Sequence, residues 1–270
     1  MPKTAYITGA SRGIGRAIAL KLASQGYNIV IAAKTTDPHP KLSGTIYTVA
    51  GEIEKLGVKA LPIKTDIRSE ENVLAGLQEV EALFGKLDVL INNASAINLS
   101  PTEKLSMKRY DLMHDINVRG TFMVSKYCLP LLRKGDNPHI ITLSPPLNMN
   151  PKWFGQHLGY TMAKYGMSMT VVGLAEELKK DGIGVNALWP KSAVATAAIE
   201  FALGGTAMLD RCRTTDIMSD AVEAIIKRDS KSCTGNFFID EDLLREEGYT
   251  DFDKYAVSPG KPLLNDLFLD

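Results

Sequence analysis

The chain has 270 residues and 45% hydrophobic content, so it can bury a sizeable core and suits one large domain better than two small ones. Its 31 basic residues balance 31 acidic ones, which argues against nucleic acid or an anionic membrane surface as the main partner. Three widely spaced cysteines suggest neither a disulfide framework nor a metal site, so we expect no metal and a reducing, cytoplasmic location.

Short β-branched segments alternate with longer helical patterns along the chain. The predicted strands are residues 5–8, 28–33, 60–65, 87–93, 139–144, 183–189 and 236–240, and the predicted helices are residues 13–24, 70–84, 106–133, 160–180 and 215–227. This alternation predicts βαβ units, and continuously apolar strands predict a sheet covered on both faces. We therefore predict an α/β fold of the Rossmann type, a doubly wound parallel sheet with helices on both faces, in a single domain over residues 1–270.

The two ends of the sequence differ in character. The first residues, "MPKTAYITGA", run into a strand without the apolar core of a signal peptide, and no apolar run is long enough to span a bilayer. We expect no membrane span. About residues 241–270 are acid-rich and irregular, and we expect them to form a tail packed on the body or on a neighbouring subunit.

The stretch "TGASRGIG", residues 8–15, follows the first predicted strand and opens the first helix. Glycines at these positions allow a tight turn, a close approach of the backbone to a pyrophosphate, and close packing of helix on sheet. The helix N-terminus then offers free N–H groups to phosphate. The alternative is a glycine-rich turn without a ligand. The predicted cofactor-binding residues here are Gly9, Ser11, Arg12, Gly13, Ile14 and Gly15.

The end of the second strand bears on which dinucleotide is bound. NAD-binding sheets usually carry an acid there to hold the ribose 2′-hydroxyl, whereas this chain has Lys34. Lys34 and Arg12 would suit a 2′-phosphate, with Lys41 or His39 adding to the cluster, so we expect NADP, with NAD less favoured. Two alternatives stay open: Lys34 could be a solvated strand-end lysine, and Asp37 could swing in to favour NAD.

The stretch "YTMAK" places Tyr160 and Lys164 four residues apart on one face of a predicted helix. The spacing alone does not separate a surface pair from a catalytic one. A free tyrosine titrates near 10, too high for efficient proton exchange at neutral pH, and a neighbouring ammonium would stabilise the phenolate and lower that pKa. We interpret the pair as a proton donor with the cation that tunes it.

Six motifs in order, "TGASRGIG", "TDI", "NNAS", "NVRG", "YTMAK" and "TGNFFID", resemble the short-chain dehydrogenase/reductase superfamily over nearly the whole chain. Stretches such as "SPPLNMNPKWF" and "GNFFIDEDLLREEG" resemble the hydroxysteroid dehydrogenase-like protein 2 group in particular. Longer members of that group continue into a sterol-carrier-like domain. This sequence stops first, so we expect no lipid role that rests on that domain.

The resemblance implies roles by position. Asp66, with Ile67 beside it, would bind the adenine, and Asn93 would shape the loop beside the adenosine ribose. Asn117 would bend the long helix and hold a proton-relaying water. Ser144 would polarise the carbonyl, Tyr160 would be the acid or base, and Lys164 would hold the nicotinamide ribose. The implied catalytic set is therefore Tyr160, Lys164, Asn117 and Ser144.

The chain departs from the family pattern near the substrate. The family's catalytic serine is often about 13 residues before the tyrosine, whereas Ser144 lies 16 residues upstream, and a gapless match of the strand puts Pro145 at the catalytic position. Either the loop restores Ser144 or the serine role is lost. Lys191 follows the proline after the sixth strand and is expected near the nicotinamide. Ala195 stands where the family has a threonine, and Thr196 follows it.

Two apolar stretches flank the expected substrate position. Residues 192–209 correspond to the family's lid, and Trp153 and Phe154 lie at the opposite rim. They suggest a largely apolar substrate, with ordinary core packing as an equally good explanation.

The function that we expect is an NADP(H)-dependent interconversion of a secondary alcohol and a ketone, with proton transfer by Tyr160. A catalytically weak nucleotide-sensing protein and a relative that dehydrates or epimerises its substrate are the alternatives. By resemblance, helices 106–133 and 160–180 would form a contact between subunits, with Met162, Met167 and Met169 as packing residues. We expect a homodimer or homotetramer.

Overall fold

Seven parallel strands form one sheet in the computed structural model, which describes residues 2–40, 42–197, 199 and 206–270. The strands are β1 Thr4–Thr8, β2 Asn28–Ala33, β3 Ala60–Lys64, β4 Val89–Asn92, β5 His139–Thr142, β6 Gly184–Trp189 and β7 Phe237–Ile239. Their order across the sheet is β3-β2-β1-β4-β5-β6-β7. The order reverses between β1 and β4, so a crevice opens there at the carboxyl ends of the strands, where ligands of open α/β sheets bind.

Helices cover both faces of this sheet. They are α1 Gly13–Ser24, α2 Ile46–Glu54, α3 Glu70–Phe84, α4 Met107–Met113, α5 Thr121–Leu132, α6 Lys152–Gly155, α7 Leu158–Glu177, α8 Asp216–Lys227 and α9 Asp240–Glu246. Strand β1 shows the two-sided burial: Ala5 and Ile7 pack into the core beneath α1 and α8, whereas Tyr6 packs into the core beneath α3, α5 and α7. The predicted Rossmann-type fold is confirmed.

Helix α2 is absent from the sequence prediction. Thr45 caps it, since the side chain of Thr45 accepts from the backbone N–H of Thr48 and the hydroxyl of Thr48 accepts from the backbone N–H of Thr45. The sequence signal for this capping box is weak, because Thr48 stands where the usual pattern has glutamate or glutamine.

The long helix predicted at 106–133 is three elements. A π-helical segment, His114–Gly120, separates α4 from α5. The tail, too, is less irregular than predicted, because α9 forms within it and buries Leu243 and Leu244 against α8. Within the described ranges, no helix is both long and apolar enough to cross a membrane.

Candidate functional site

The glycine turn lies at the carboxyl end of β1 and is fastened to the end of β4 by Asn93. The Asn93 amide donates to the carbonyls of Thr8 and Gly9 at 2.8 and 3.2 Å, and its backbone N–H donates to the Thr8 hydroxyl at 3.0 Å. A Cβ on Gly15 would lie 2.5 Å from that amide nitrogen, so a larger residue would push the turn off Asn93. The structure therefore brings Asn93 and the glycine motif together.

The glycine turn changes direction at the start of α1 through a left-handed residue. Gly13 adopts φ +56°, in the left-handed region that favours glycine, at the start of α1. Among the described residues, a Cβ there would meet only Thr196, at 3.5 Å, so the Thr196 side chain lies beside the start of α1. The free N–H groups at this helix N-terminus are donors that a phosphate can accept from.

Arg12 and Lys34, the two cations predicted to contact a 2′-phosphate, lie in different environments. The guanidinium of Arg12 donates to the carbonyls of Ser43 and Gly44 at 3.1 and 3.0 Å, which fixes it beside the glycine turn. Lys34 is more than half exposed, and its Nζ lies 3.8 Å from a carboxylate oxygen of Asp66. Lys41 lies outside the described residues.

Asp66, the carboxylate predicted to bind the adenine, has a partner that the sequence analysis does not predict. Arg68 donates through Nε to both oxygens of Asp66, at 3.0 and 3.1 Å, and this lowers the pKa of the Asp66 carboxyl. An ionised Asp66 can still accept from an adenine amino group. Ile67 packs against Gly120, where a Cβ would lie 2.7 Å from the Ile67 Cδ1 atom. That contact explains the glycine of the "NVRG" motif.

Asn117 lies fully buried in the π-helical segment between α4 and α5. Its side-chain oxygen accepts from the backbone N–H of Ala96 at 2.7 Å, and its amide donates to the Ala96 carbonyl at 2.9 Å. These two bonds tie the segment after β4 to the helix at the point where its hydrogen-bond ladder widens. π-helical turns inside α-helices are often found at functional sites.

Tyr160 and Lys164 are both buried on α7. The Nζ of Lys164 donates to the carbonyl of Leu143 at 2.7 Å and lies 4.9 Å from the ring centroid of Trp189. Burial lowers the pKa of Lys164 to about 7, partly opposed by the carboxylate of Asp266.

The tyrosine differs from the expectation. Burial raises the pKa of Tyr160, and the Asp266 carboxylate raises it further, so here the desolvation of the phenolate dominates. In this state Tyr160 is a protonated hydroxyl at neutral pH, which is the form that donates a proton.

Ser144 follows β5 and is about 1% exposed. Its hydroxyl finds no hydrogen-bond partner among the residues that the structure describes. Helix α7 is bonded to both neighbours of this serine: Lys164 donates to Leu143, and the Ser168 hydroxyl donates to the Pro145 carbonyl at 2.6 Å. A buried hydroxyl without a partner is costly, and a ligand oxygen would satisfy it.

Residues 264–270, here called the closing segment, lie beside Tyr160 and Lys164. No motif in the sequence predicts this position. Asp266 donates its backbone N–H to the Lys191 carbonyl at 3.0 Å, and burial raises the pKa of its carboxyl to about 7. Phe268 is fully buried, with its ring centroid 6.1 Å from that of Tyr160. An acidic tail after the last strand gives no hint of this contact, because it depends on how the chain returns across the sheet.

The structure describes the predicted rim of the substrate pocket but only part of the predicted lid. Trp153 and Phe154 are partly buried and pack against the hydrophobic cluster that contains Tyr160 and Phe268. Residues 198 and 200–205 of the predicted lid lie outside the described residues. The ammonium of Lys191 pairs with Asp242 at 2.8 Å and with Glu241 at 3.4 Å, so it is engaged by helix α9.

The chain is similar to known proteins over nearly its whole length. The model of the short chain dehydrogenase family matches residues 3–201. The chain is 58% identical over 267 residues to the zebrafish (Danio rerio) protein named hydroxysteroid dehydrogenase-like protein 2, and 56% identical to the human protein of that name. Each match covers 99% of this chain, but only 64% and 63% of those two relatives. The chain therefore spans less than two thirds of their length.

Solved structures show the same architecture. A short chain dehydrogenase from Mycobacterium thermoresistibile superimposes with a TM-score of 0.93 at 48% identity, covering 99% of this chain and 95% of that one. A metagenomic short-chain oxidoreductase in complex with NADP has a TM-score of 0.71 at 25% identity, covering 88% and 96% of the two chains. The family model over residues 3–201 and these relatives together show that the chain belongs to the short-chain dehydrogenase/reductase family of oxidoreductases.

Proposed function

We propose that this protein reversibly reduces a ketone to a secondary alcohol with NADPH. The observation that carries the proposal is the buried hydroxyl of Ser144, which has no hydrogen-bond partner among the described residues. Its two neighbours are bonded to the helix that carries Tyr160 and Lys164. A ketone oxygen would satisfy that hydroxyl. The apolar environment of Trp153 and Phe154 supports a largely apolar substrate.

NADPH, when bound, supplies the hydride that reduces the carbonyl carbon. The hydroxyls of Ser144 and Tyr160 would donate hydrogen bonds to the carbonyl oxygen, where negative charge develops. Tyr160 would then transfer its proton to that oxygen, and the Lys164 ammonium would offset the charge left on the phenolate. Asn117 would hold the neighbouring loop in place through its two bonds to Ala96.

The proposal is tested by following NADPH oxidation spectrophotometrically against a panel of ketones and 3-oxoacyl thioesters. We expect turnover of at least one apolar ketone and recovery of the corresponding alcohol. Tight NADPH binding without turnover of any member would favour a nucleotide-sensing role instead.

We further propose NADP(H) as the preferred cofactor. Lys34 and Arg12 lie at the second-strand end and beside the glycine turn, and both would contact a 2′-phosphate through charge-assisted hydrogen bonds. Lys34→Ala should weaken NADPH binding by roughly 10- to 100-fold, the effect of losing about 1.5–3 kcal/mol from a hydrogen bond to a charged group, and leave NADH binding unchanged. Fluorescence titration of both cofactors measures this.

The matched control is Lys59→Ala, which removes an exposed lysine at the amino end of β3, whereas Lys34 lies at the carboxyl end of β2. It should bind both cofactors as the wild type does. Equal affinity of the wild type for NADPH and NADH would refute the preference.

The oligomeric state is also a proposal. Phe122 on α5 and Met162, Met169 and Val172 on α7 are large apolar side chains that stay about half exposed. Met162, Met169 and Val172 follow the spacing of one helical face. Met167, which was expected at the same contact, is instead fully buried in the core. We propose a homodimer or homotetramer in which a second copy covers the exposed residues.

Light scattering at micromolar concentration should therefore give twice or four times the chain mass of 29.4 kDa. Met169→Glu should shift the mass toward the monomer, because it places a charge in the apolar contact. Met149→Glu, at a residue that is 68% exposed in the loop after β5, serves as the control and should not. A monomer mass for the wild type would overturn this proposal.

We propose a cytoplasmic, reducing location. The support is that Cys128, Cys212 and Cys233 are all buried free thiols.

A further inference from the structure

The closing segment packs the ring of Phe268 against Tyr160, the proposed proton donor. The ring of Phe268 is fully buried, and its plane is tilted by 32° to that of Tyr160. Further rings surround it at centroid distances of 5.3 to 5.9 Å, those of Trp153, His157, Tyr165 and Trp189. One side of Tyr160 is therefore filled by protein.

Hydrogen bonds to the backbone of the closing segment hold it in this position. Leu264 accepts from the N–H of Ala193 at 2.8 Å, and the Leu267 carbonyl accepts from the indole N–H of Trp189 at 2.9 Å. The Phe268 carbonyl accepts from the amide of Asn148 at 3.2 Å. The closing segment is thus tied to the loop after β5, to the end of β6 and to the loop that follows it.

The backbone of Phe268 adopts φ +71°, a region that residues other than glycine seldom occupy. Such a conformation persists only where the surroundings fix it, and residues held in this way cluster at active sites and ligand clamps. The position of this ring is therefore determined by its neighbours on every side.

We propose that Phe268 is a specificity-determining residue that closes one side of the substrate pocket at Tyr160. This deepens the proposed function and rests on it. A ketone whose oxygen meets the Tyr160 hydroxyl would have room for only a small substituent on the Phe268 side, and its larger substituent would point elsewhere. The substrate class is then a ketone in which one of the two carbonyl substituents is small or unbranched, such as a methyl ketone or a linear 3-oxoacyl chain. Ketones that are bulky on both sides, including fused rings, would be rejected.

The test compares two ketones that share one arm, methyl heptyl ketone and phenyl heptyl ketone. The wild type should prefer the methyl ketone. Phe268→Ala should raise the ratio of kcat/KM for the phenyl ketone over the methyl ketone at least tenfold, since even one methylene in an apolar pocket alters discrimination by about 10–200-fold. The gain should come mainly from a lower KM for the phenyl ketone.

Two further variants separate this role from simple loss of packing. Phe252→Ala removes another buried phenyl ring, one that packs on Tyr255, and should destabilise the protein without changing the ratio. Phe268→Leu makes a smaller change at the same place and should shift the ratio in the same direction if the alanine variant does not fold. NADPH affinity should be unchanged in each folded variant.

Binding provides a readout that does not need turnover. In the presence of NADP, phenyl heptyl ketone should raise the melting temperature of the Phe268 variants but not that of the wild type or of Phe252→Ala. An unchanged binding preference in the Phe268 variants would overturn the pocket assignment. Absence of turnover with every ketone counts against the proposed function, whereas the binding comparison still decides the role of Phe268.

Discussion

Tyr160→Phe is expected to reduce kcat for ketone reduction by about 10³-fold or more, near the upper part of the range for losing a positioned acid. The variant removes one oxygen from a residue that is 5% exposed, so the ring contacts with Phe268 and His157 should remain. NADPH affinity should change little. Stopped-flow single-turnover measurements with saturating NADPH report the chemical step directly.

The control is Tyr255→Phe. Tyr255 is also buried and loses a hydrogen bond, from its hydroxyl to Asp220 at 2.6 Å, but it packs in the core beneath α8. Its variant should lose stability, by about 1 kcal/mol or more, and keep its turnover. Near wild-type turnover in Tyr160→Phe would show that another group donates the proton.

Ser144→Ala is expected to lower kcat roughly a hundredfold or more, with NADPH affinity unchanged, because one donor to the developing oxyanion is lost. Its stability should be unchanged or slightly higher, since the hydroxyl has no partner within the described residues and its burial is uncompensated. Kinetics and thermal unfolding measured together distinguish a catalytic hydroxyl from a structural one.

A buried serine elsewhere provides the comparison. Ser230 donates to the Gly182 carbonyl at 2.7 Å, so Ser230→Ala should lose stability and retain turnover, the reverse pattern. If Ser144→Ala keeps wild-type turnover while Tyr160→Phe is inactive, Ser144 is a strand-end residue only. The carbonyl would then be polarised by Tyr160 or by another donor.

Much of the fold was predictable because its signals are local. Alternating apolar strands and helices predicted all seven strands to within about two residues, and the parallel order follows from the βαβ pattern. The turn at Gly13 was predictable because a glycine at a helix start indicates a positive φ, which Gly13 adopts. The π-helical geometry around Asn117 was not, since a single widened turn leaves the apolar periodicity of the helix almost unchanged.

The missed parts of the site depend on contacts between distant segments. Phe268 and Asp266 reach Tyr160 and Lys164 only because the closing segment returns along the loop after β6. The raised pKa of Tyr160 does not follow from the sequence, for a related reason. Spacing shows that a lysine is one turn away, whereas the opposing cost of burial depends on everything packed around the hydroxyl.

The most direct test of the account is deuteride transfer. The purified protein is incubated with a methyl ketone and with NADPH in which deuterium replaces both hydrogens on the reactive carbon of the nicotinamide, and the alcohol is analysed by mass spectrometry and NMR. We predict one deuterium on the carbinol carbon with the wild type, and none above background with Tyr160→Phe. Oxidation of NADPH without deuterium in the alcohol, or equal transfer by both proteins, would contradict direct hydride transfer with Tyr160 as the proton donor.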